Sequence, residues 1–301
     1  MEIRDRIEQL KKERDAVILA HYYVNDEVQE IADYIGDSYF LSKQAVDLEA
    51  KTLVVCGVSF MGESAKILNP NKTVLLPDIK ADCPMAHMIT PEKIAALRAA
   101  HPEAAVVCYI NSTAELKTCS DVCVTSANAL KIVSALPNKE IIFIPDQNLG
   151  QHIAGKLPDK KFIYNDGCCP IHAKISTDAI DAAKAAHPGA PVLAHPECTP
   201  AVLAKADFIG STSGILKYAT EHDNQEFIIC TECGIGYKLR TNNPGKKFFF
   251  VEPTPTCDDM KFITLEKVAN ALETGEGEVI LDEDTRVRAN VALERMLELS
   301  K

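Results

Sequence analysis

Three cysteines, Cys83, Cys169 and Cys257, stand 86 and 88 residues apart in a chain of 301 residues. Their neighbours, Asp82 and Pro84, Pro170, and Asp258, make poor core surroundings. Three thiolates suit either Zn²⁺ with a fourth ligand or an iron–sulfur cluster, because soft sulfur donors favour both. Zinc usually shows paired Cys-x-x-Cys knuckles, whereas these three are scattered singly with no evident fourth partner. That pattern fits a [4Fe–4S] cluster with three cysteine ligands and one iron open to substrate. Such an iron is a Lewis acid, suited to dehydration or condensation rather than electron transfer.

Three polar sets share the period: His21, Tyr109 and His195; Tyr23, Asn111 and Glu197; and Ser38, Ser126 and Thr212, each spaced by 88 and 86. Taken singly, Ser and Thr here are ordinary helix caps, Tyr23 is as easily core, and His195-Pro196-Glu197 is a stiff strand ending. Their common register with three cysteines favours a site. Other cysteines compete with this reading. Cys230-Thr231-Glu232-Cys233 is a Cys-x-x-Cys, a redox pair or half of a zinc site, but no second pair accompanies it. Cys168 beside Cys169 leaves the middle ligand open to either. Cys56, Cys108, Cys119, Cys123 and Cys198 have no evident role. His87, His101, His152, His172, His187 and His222 fall outside the register and read as structural or exposed, with His172 near enough to the cysteine loop to support a ligand.

The elements that must position these residues recur as well. Each copy reads helix, apolar strand, polar tripeptide, helix, then a strand ending in a hydroxyl residue. In the first copy these are Arg4 to Arg14, Ala16 to Ala20, His21-Tyr22-Tyr23, a helix over Glu27 to Tyr34, and Ile35-Gly36-Asp37-Ser38. The second opens at Thr90-Pro91-Glu92, has its strand at Ala104 to Cys108 and closes over Asp121 to Ser126. The third opens at Ser176-Thr177-Asp178, has its strand at Pro191 to Ala194 and closes over Asp207 to Thr212. Two further apolar runs per copy, at Thr52 to Val55 and Thr73 to Leu76 in the first, give about four strands each. Short β-branched runs alternating with helices predict parallel sheets. The expected fold is therefore α/β: three homologous α/β/α units with four-stranded parallel sheets about a pseudo-threefold axis, spanning 1–85, 86–172 and 173–257. The C-terminal segment 258–301 is expected to dock on the first unit through Val287, Val291, Leu293, Met296 and Leu297. Residues just beyond the carboxyl ends of parallel strands face the ligand crevice, so all four sets should converge on one face.

A formal net charge of −11, from 32 Lys+Arg against 43 Asp+Glu, argues against a nucleic-acid partner. An anionic ligand would have to be held by backbone N–H groups, hydroxyls, helix N-termini or a metal. No run approaches the roughly eighteen apolar residues of a membrane span. Eleven cysteines behind a charged, amphipathic N-terminus are expected as thiols or ligands in a cytoplasmic protein.

At this point the chain resembles the quinolinate synthase (quinolinate synthetase A) family, over nearly its whole length. The resemblance rests on Ile18 to Tyr23, Ile35-Gly36-Asp37-Ser38, Gly57 to Ala65, Cys83-Pro84-Met85-Ala86, Tyr109-Ile110-Asn111-Ser112, Val124 to Asn128, Gly167-Cys168-Cys169-Pro170-Ile171-His172, His195-Pro196-Glu197-Cys198, Gly210 to Gly214, Thr231 to Ile235 and Cys257-Asp258-Asp259-Met260-Lys261. Family members commonly carry Asn in place of Tyr22 and Ala in place of Cys230. The resemblance implies a transferase that condenses iminoaspartate, delivered by an L-aspartate oxidase, with dihydroxyacetone phosphate to quinolinate, phosphate and water on the way to NAD. It also implies a [4Fe–4S] cluster on Cys83, Cys169 and Cys257. That chemistry needs close-set proton carriers, for which Glu197, Tyr23, His21 and His195 are the candidates. Tyr109 and Asn111 would orient intermediates, and Ser38, Ser126 and Thr212 would hold carboxylates and phosphate at helix starts.

Overall fold

The computed structural model describes residues 2–301. Within them the strands are β1 (Ala16–His21), β2 (Tyr34–Gly36), β3 (Thr52–Cys56), β4 (Thr73–Leu75), β5 (Ala105–Tyr109), β6 (Val122–Val124), β7 (Glu140–Ile144), β8 (Lys161–Tyr164), β9 (Val192–Ala194), β10 (Phe208–Ile209), β11 (Glu226–Cys230) and β12 (Lys247–Phe250). They form three four-stranded sheets ordered β2-β1-β3-β4, β6-β5-β7-β8 and β10-β9-β11-β12, with every pairing parallel. The protein is thus α/β with three four-stranded units. Every residue of β3 and β5 is buried, as Thr-Leu-Val-Val-Cys and Ala-Val-Val-Cys-Tyr must be in strands covered on both faces.

Two details of the local reading change. The helix expected over Glu27 to Tyr34 is only Asp26–Glu30, because Tyr34 pairs with Leu19 as the first residue of β2. Nor do the hydroxyl residues close strands. Asp37 and Ser211 accept the N–H groups of Phe40 and Gly214 and so start helices at Ser38 and Thr212. A side-chain cap stops the strand and places the next residue in the first helical turn.

The C-terminal segment docks on two units. The helix Leu265–Thr274 packs on the opening helix Ile3–Arg14 of the first unit, but the last helix, Glu283–Leu299, lies chiefly on Ala114–Thr118 and β6 of the second unit and on Ser59–Leu68 of the first. Its buried stripe is Ala289, Ala292, Leu293 and Met296, whereas Val287 and Val291 are 48% and 62% exposed. Small residues let the helix settle into the seam between two units, and the bulkier valines are turned outward.

The units also touch closely near the site. A Cβ on Gly234 would stand 2.7 Å from the Tyr23 Cα and 2.8 Å from the Tyr22 carbonyl oxygen, both backbone atoms that cannot swing away. Gly234→Ala is therefore expected to destabilise the chain by about 2 kcal/mol, read as a lower urea midpoint in chemical denaturation.

Candidate active site

The strand order of each sheet reverses beside its first strand, and ligands bind beyond the carboxyl ends of strands at such points. His21 and Tyr109 end β1 and β5, and His195 follows β9 directly. The three strand ends face a common cavity of 170 Å³. Around it stand all twelve residues singled out from the sequence: His21, Tyr23, Ser38, Cys83, Tyr109, Asn111, Ser126, Cys169, His195, Glu197, Thr212 and Cys257.

The two histidine tripeptides fold alike. The backbone N–H of Tyr23 donates to His21 Nδ1 at 3.2 Å, and that of Glu197 to His195 Nδ1 at 3.4 Å. Each ring is thereby a neutral imidazole with its proton on Nε2, and His195 Nε2 reaches Ser126 Oγ at 3.2 Å. Burial, opposed by the Glu197 charge, lowers both imidazoles to about 3. Protonation would strand a cation away from water.

His172, outside the register, proves central. It is buried, its Nδ1 lies 2.8 Å from Glu197 Oε2 and 3.2 Å from Cys169 Sγ, and its Nε2 lies 2.8 Å from Thr231 Oγ1. Thr231 Oγ1 is 2.9 Å from the Tyr23 hydroxyl, which is 2.9 Å from Thr212 Oγ1. With Tyr109 also beside Glu197, a run of close polar neighbours links Tyr109, Glu197, His172, Thr231, Tyr23 and Thr212 across the three units. Burial alone would raise the Glu197 carboxyl, but the charge of the His195 and His172 rings in their protonated form, with His172 and Tyr109 beside its oxygens, outweighs it and lowers the group below the ordinary carboxylate range. Burial followed by the Glu197 charge keeps the Tyr23 and Tyr109 phenols far above theirs. One base and two phenols thus share a single run. The sequence signal for His172 was its place three residues after Cys169, one helical turn away.

Two more groups escaped the sequence reading. Lys174 also lines the cavity and supplies a cation that an acidic chain needs near an anion. Glu232, fully buried, pairs with Lys261 at 3.0 Å. Asn111 Oδ1 and Thr125 Oγ1 are buried on the cavity wall without a hydrogen-bond partner among the described residues. Such orphans imply a bound polar ligand.

Each of Cys83, Cys169 and Cys257 precedes a short helical turn, Pro84–His87, Pro170–Ala173 and Asp258–Lys261. Backbone N–H groups of Ala86, His172 and Met260 favour their thiolates, but burial prevails and pushes the Cys83 and Cys257 thiols up to about 12 and about 11, and raises the Cys169 thiol well above its ordinary range. Only a metal's positive charge would displace these protons. Among the described residues, the trio of donor atoms lying within 4.8 Å of one another is Cys169, His172 and Glu197, not the three sulfurs. A set of sulfurs spread wider than one ion allows suits a multi-iron group. Cys168 does not line the cavity, and its N–H points to Met88 Sδ at 3.4 Å. The eleven cysteines are free thiols, Cys230 is buried and pushed up to about 12, and Cys233 contacts Glu232 and Thr256.

Comparison with known proteins identifies the family of the chain. The family model described as quinolinate synthetase A protein matches residues 5–298. The quinolinate synthase of Geobacter metallireducens is 50% identical over 299 residues, covering 99% of this chain and 98% of that protein. Those of Fusobacterium nucleatum and Clostridium perfringens are each 50% identical, covering 99% of both chains. A match running across almost all of its length, with half the residues shared, makes this chain an enzyme of the quinolinate synthetase A family.

Proposed function

We propose that the protein is a quinolinate synthase of de novo NAD biosynthesis, condensing iminoaspartate with dihydroxyacetone phosphate to quinolinate, phosphate and water. The observation that carries this reading is the convergence of three cysteine loops and one proton-transfer chain on a single cavity between three units. Cys83, Cys169 and Cys257 would hold a [4Fe–4S] cluster, which supplies Lewis acidity toward a substrate oxygen or nitrogen when bound.

The chain's own residues do the rest. Glu197, kept ionised, takes a proton from carbon; His172 passes charge between Glu197 and Thr231; Tyr23 and Tyr109 return protons to departing oxygens. His21 and His195, neutral with Nε2–H outward, donate hydrogen bonds to carboxylate or carbonyl oxygens. Asn111 orients the intermediate, while Ser38, Ser126, Thr212 and Lys174 bind the anionic groups near helix starts. Burial of the whole chain excludes water from intermediates that would hydrolyse. An L-aspartate oxidase would supply the unstable imine, and a reducing cytoplasm suits eleven free thiols. Among the described residues, no helix is long and apolar enough to cross a membrane.

A zinc-dependent lyase is the second reading, because Cys169, His172 and Glu197 are close enough to share one ion. Anaerobic purification with iron, sulfide and zinc analysis, then a quinolinate assay on freshly generated iminoaspartate, separates them. About four irons per chain with product formed is the expected result; zinc alone, or a cluster without product, would overturn it.

A further inference from the structure

Asp146 and Glu232 are fully buried acids at matching places, each two residues beyond the third strand of its unit, β7 or β11. Each uses both oxygens. Asp146 Oδ1 accepts from Leu149 N at 2.8 Å and Oδ2 from Cys169 N at 2.9 Å. Glu232 Oε2 accepts from Gly234 N at 2.7 Å and Oε1 from Cys257 N at 3.2 Å. One oxygen closes the turn after the third strand, and the other ties down the cysteine loop that follows the fourth.

The first unit makes the same link with its parts exchanged. Two residues beyond β3 stands Val58, which has no carboxylate, and the acid sits instead in the cysteine loop as Asp82. Asp82 Oδ1 accepts from Cys83 N at 2.7 Å and also from the hydroxyl of Ser59, the first residue of the helix after β3. His87 holds the other oxygen at 2.7 Å.

Placing carboxylates beside sulfurs that must become thiolates is electrostatically unfavourable, yet all three units do so. A carboxylate alone offers two acceptor oxygens and no donor. Asparagine or glutamine would set an NH₂ group against one of the two N–H groups. We infer that Asp82, Asp146 and Glu232 are positioning residues that staple each cysteine loop to the end of its own sheet, presenting the three sulfurs to the cavity before any metal arrives. This rests on the reading of those cysteines as ligands.

The staples can be cut one at a time in the full chain, in a Cys168→Ser background that makes the label on Cys169 unambiguous. Asp146→Ser keeps an oxygen for Leu149 N–H as a helix cap but has no second one for Cys169. Glu232→Asp keeps the charge and the short reach to Gly234 N–H but ends one methylene short of Cys257. Anaerobic alkylation with iodoacetamide, before and after loading with iron and sulfide, is followed at each cysteine by peptide mass spectrometry. The expected pattern is crossed: labelling faster by about fivefold at Cys169 alone in the first variant and at Cys257 alone in the second, with Cys83 within about twofold in both, as the loss of a single hydrogen bond predicts. Unchanged rates would overturn the inference, and so would all three cysteines rising in step, which marks general loosening. The pattern is read without turnover, so a chain that shows it but makes no quinolinate counts against the proposed reaction and leaves the staples standing.

Discussion

Glu197→Gln is expected to lower quinolinate formation by about 10³-fold while bound iron stays at the level of the parent chain. Glutamine has nearly the same shape, and the backbone anchors of this residue are independent of its charge: its N–H lies on His195 Nδ1 and its carbonyl accepts from Asn148 Nδ2 at 3.0 Å. What disappears is the base. The carboxylate lies 2.8 Å from His172, with Tyr109 beside it, so an amide removes the one permanently basic member of the polar run. Because the carboxyl is lowered below the ordinary range in spite of its burial, it stays ionised throughout the neutral range. The parent's rate should therefore show no acid limb from this group above about pH 5. Steady-state turnover and iron analysis on the same preparation check both halves; normal turnover in the glutamine variant would remove Glu197 from the proton-transfer role.

Cys169→Ser should be the most damaging single change outside the core, with iron falling well below that of the parent and activity falling to background. Serine offers a hard, protonated oxygen where a soft thiolate is needed, and two remaining cysteines cannot make up the set. Cys168→Ser is the matched control. The two residues are adjacent, yet only Cys169 lines the cavity, with its N–H on Asp146 and its sulfur 3.2 Å from His172. Near-parental iron in Cys168→Ser, beside loss in Cys169→Ser, assigns the middle ligand. The opposite outcome would transfer the role to Cys168 and undo the threefold register of the cysteines. Cys83→Ser and Cys257→Ser should behave as Cys169→Ser does, since each is the sulfur its unit contributes.

The units, their strand runs and the four residue sets were legible in the sequence because one period governs them, and a repeat near 87 residues survives in strand ends that must keep the same place in each sheet. Helix starts at Thr90 and Ser176 were legible for a local reason: a hydroxyl followed by helix-forming residues caps its own N–H groups, and both side chains do so. Only the tertiary structure could reveal the contacts of His172 and the parts played by Thr231, Lys174 and the paired acids Asp146 and Glu232. Their roles come from contacts across 59 residues, as between His172 and Thr231, or between units, as between Tyr23 and Thr231, and no local pattern encodes such distances. The seat of the last helix is decided by the tertiary structure for a related reason. Periodicity marks an apolar stripe, but which neighbour receives it depends on the shape of the seam. There Ala289 and Ala292 fit, and Val287 and Val291 are left in solvent.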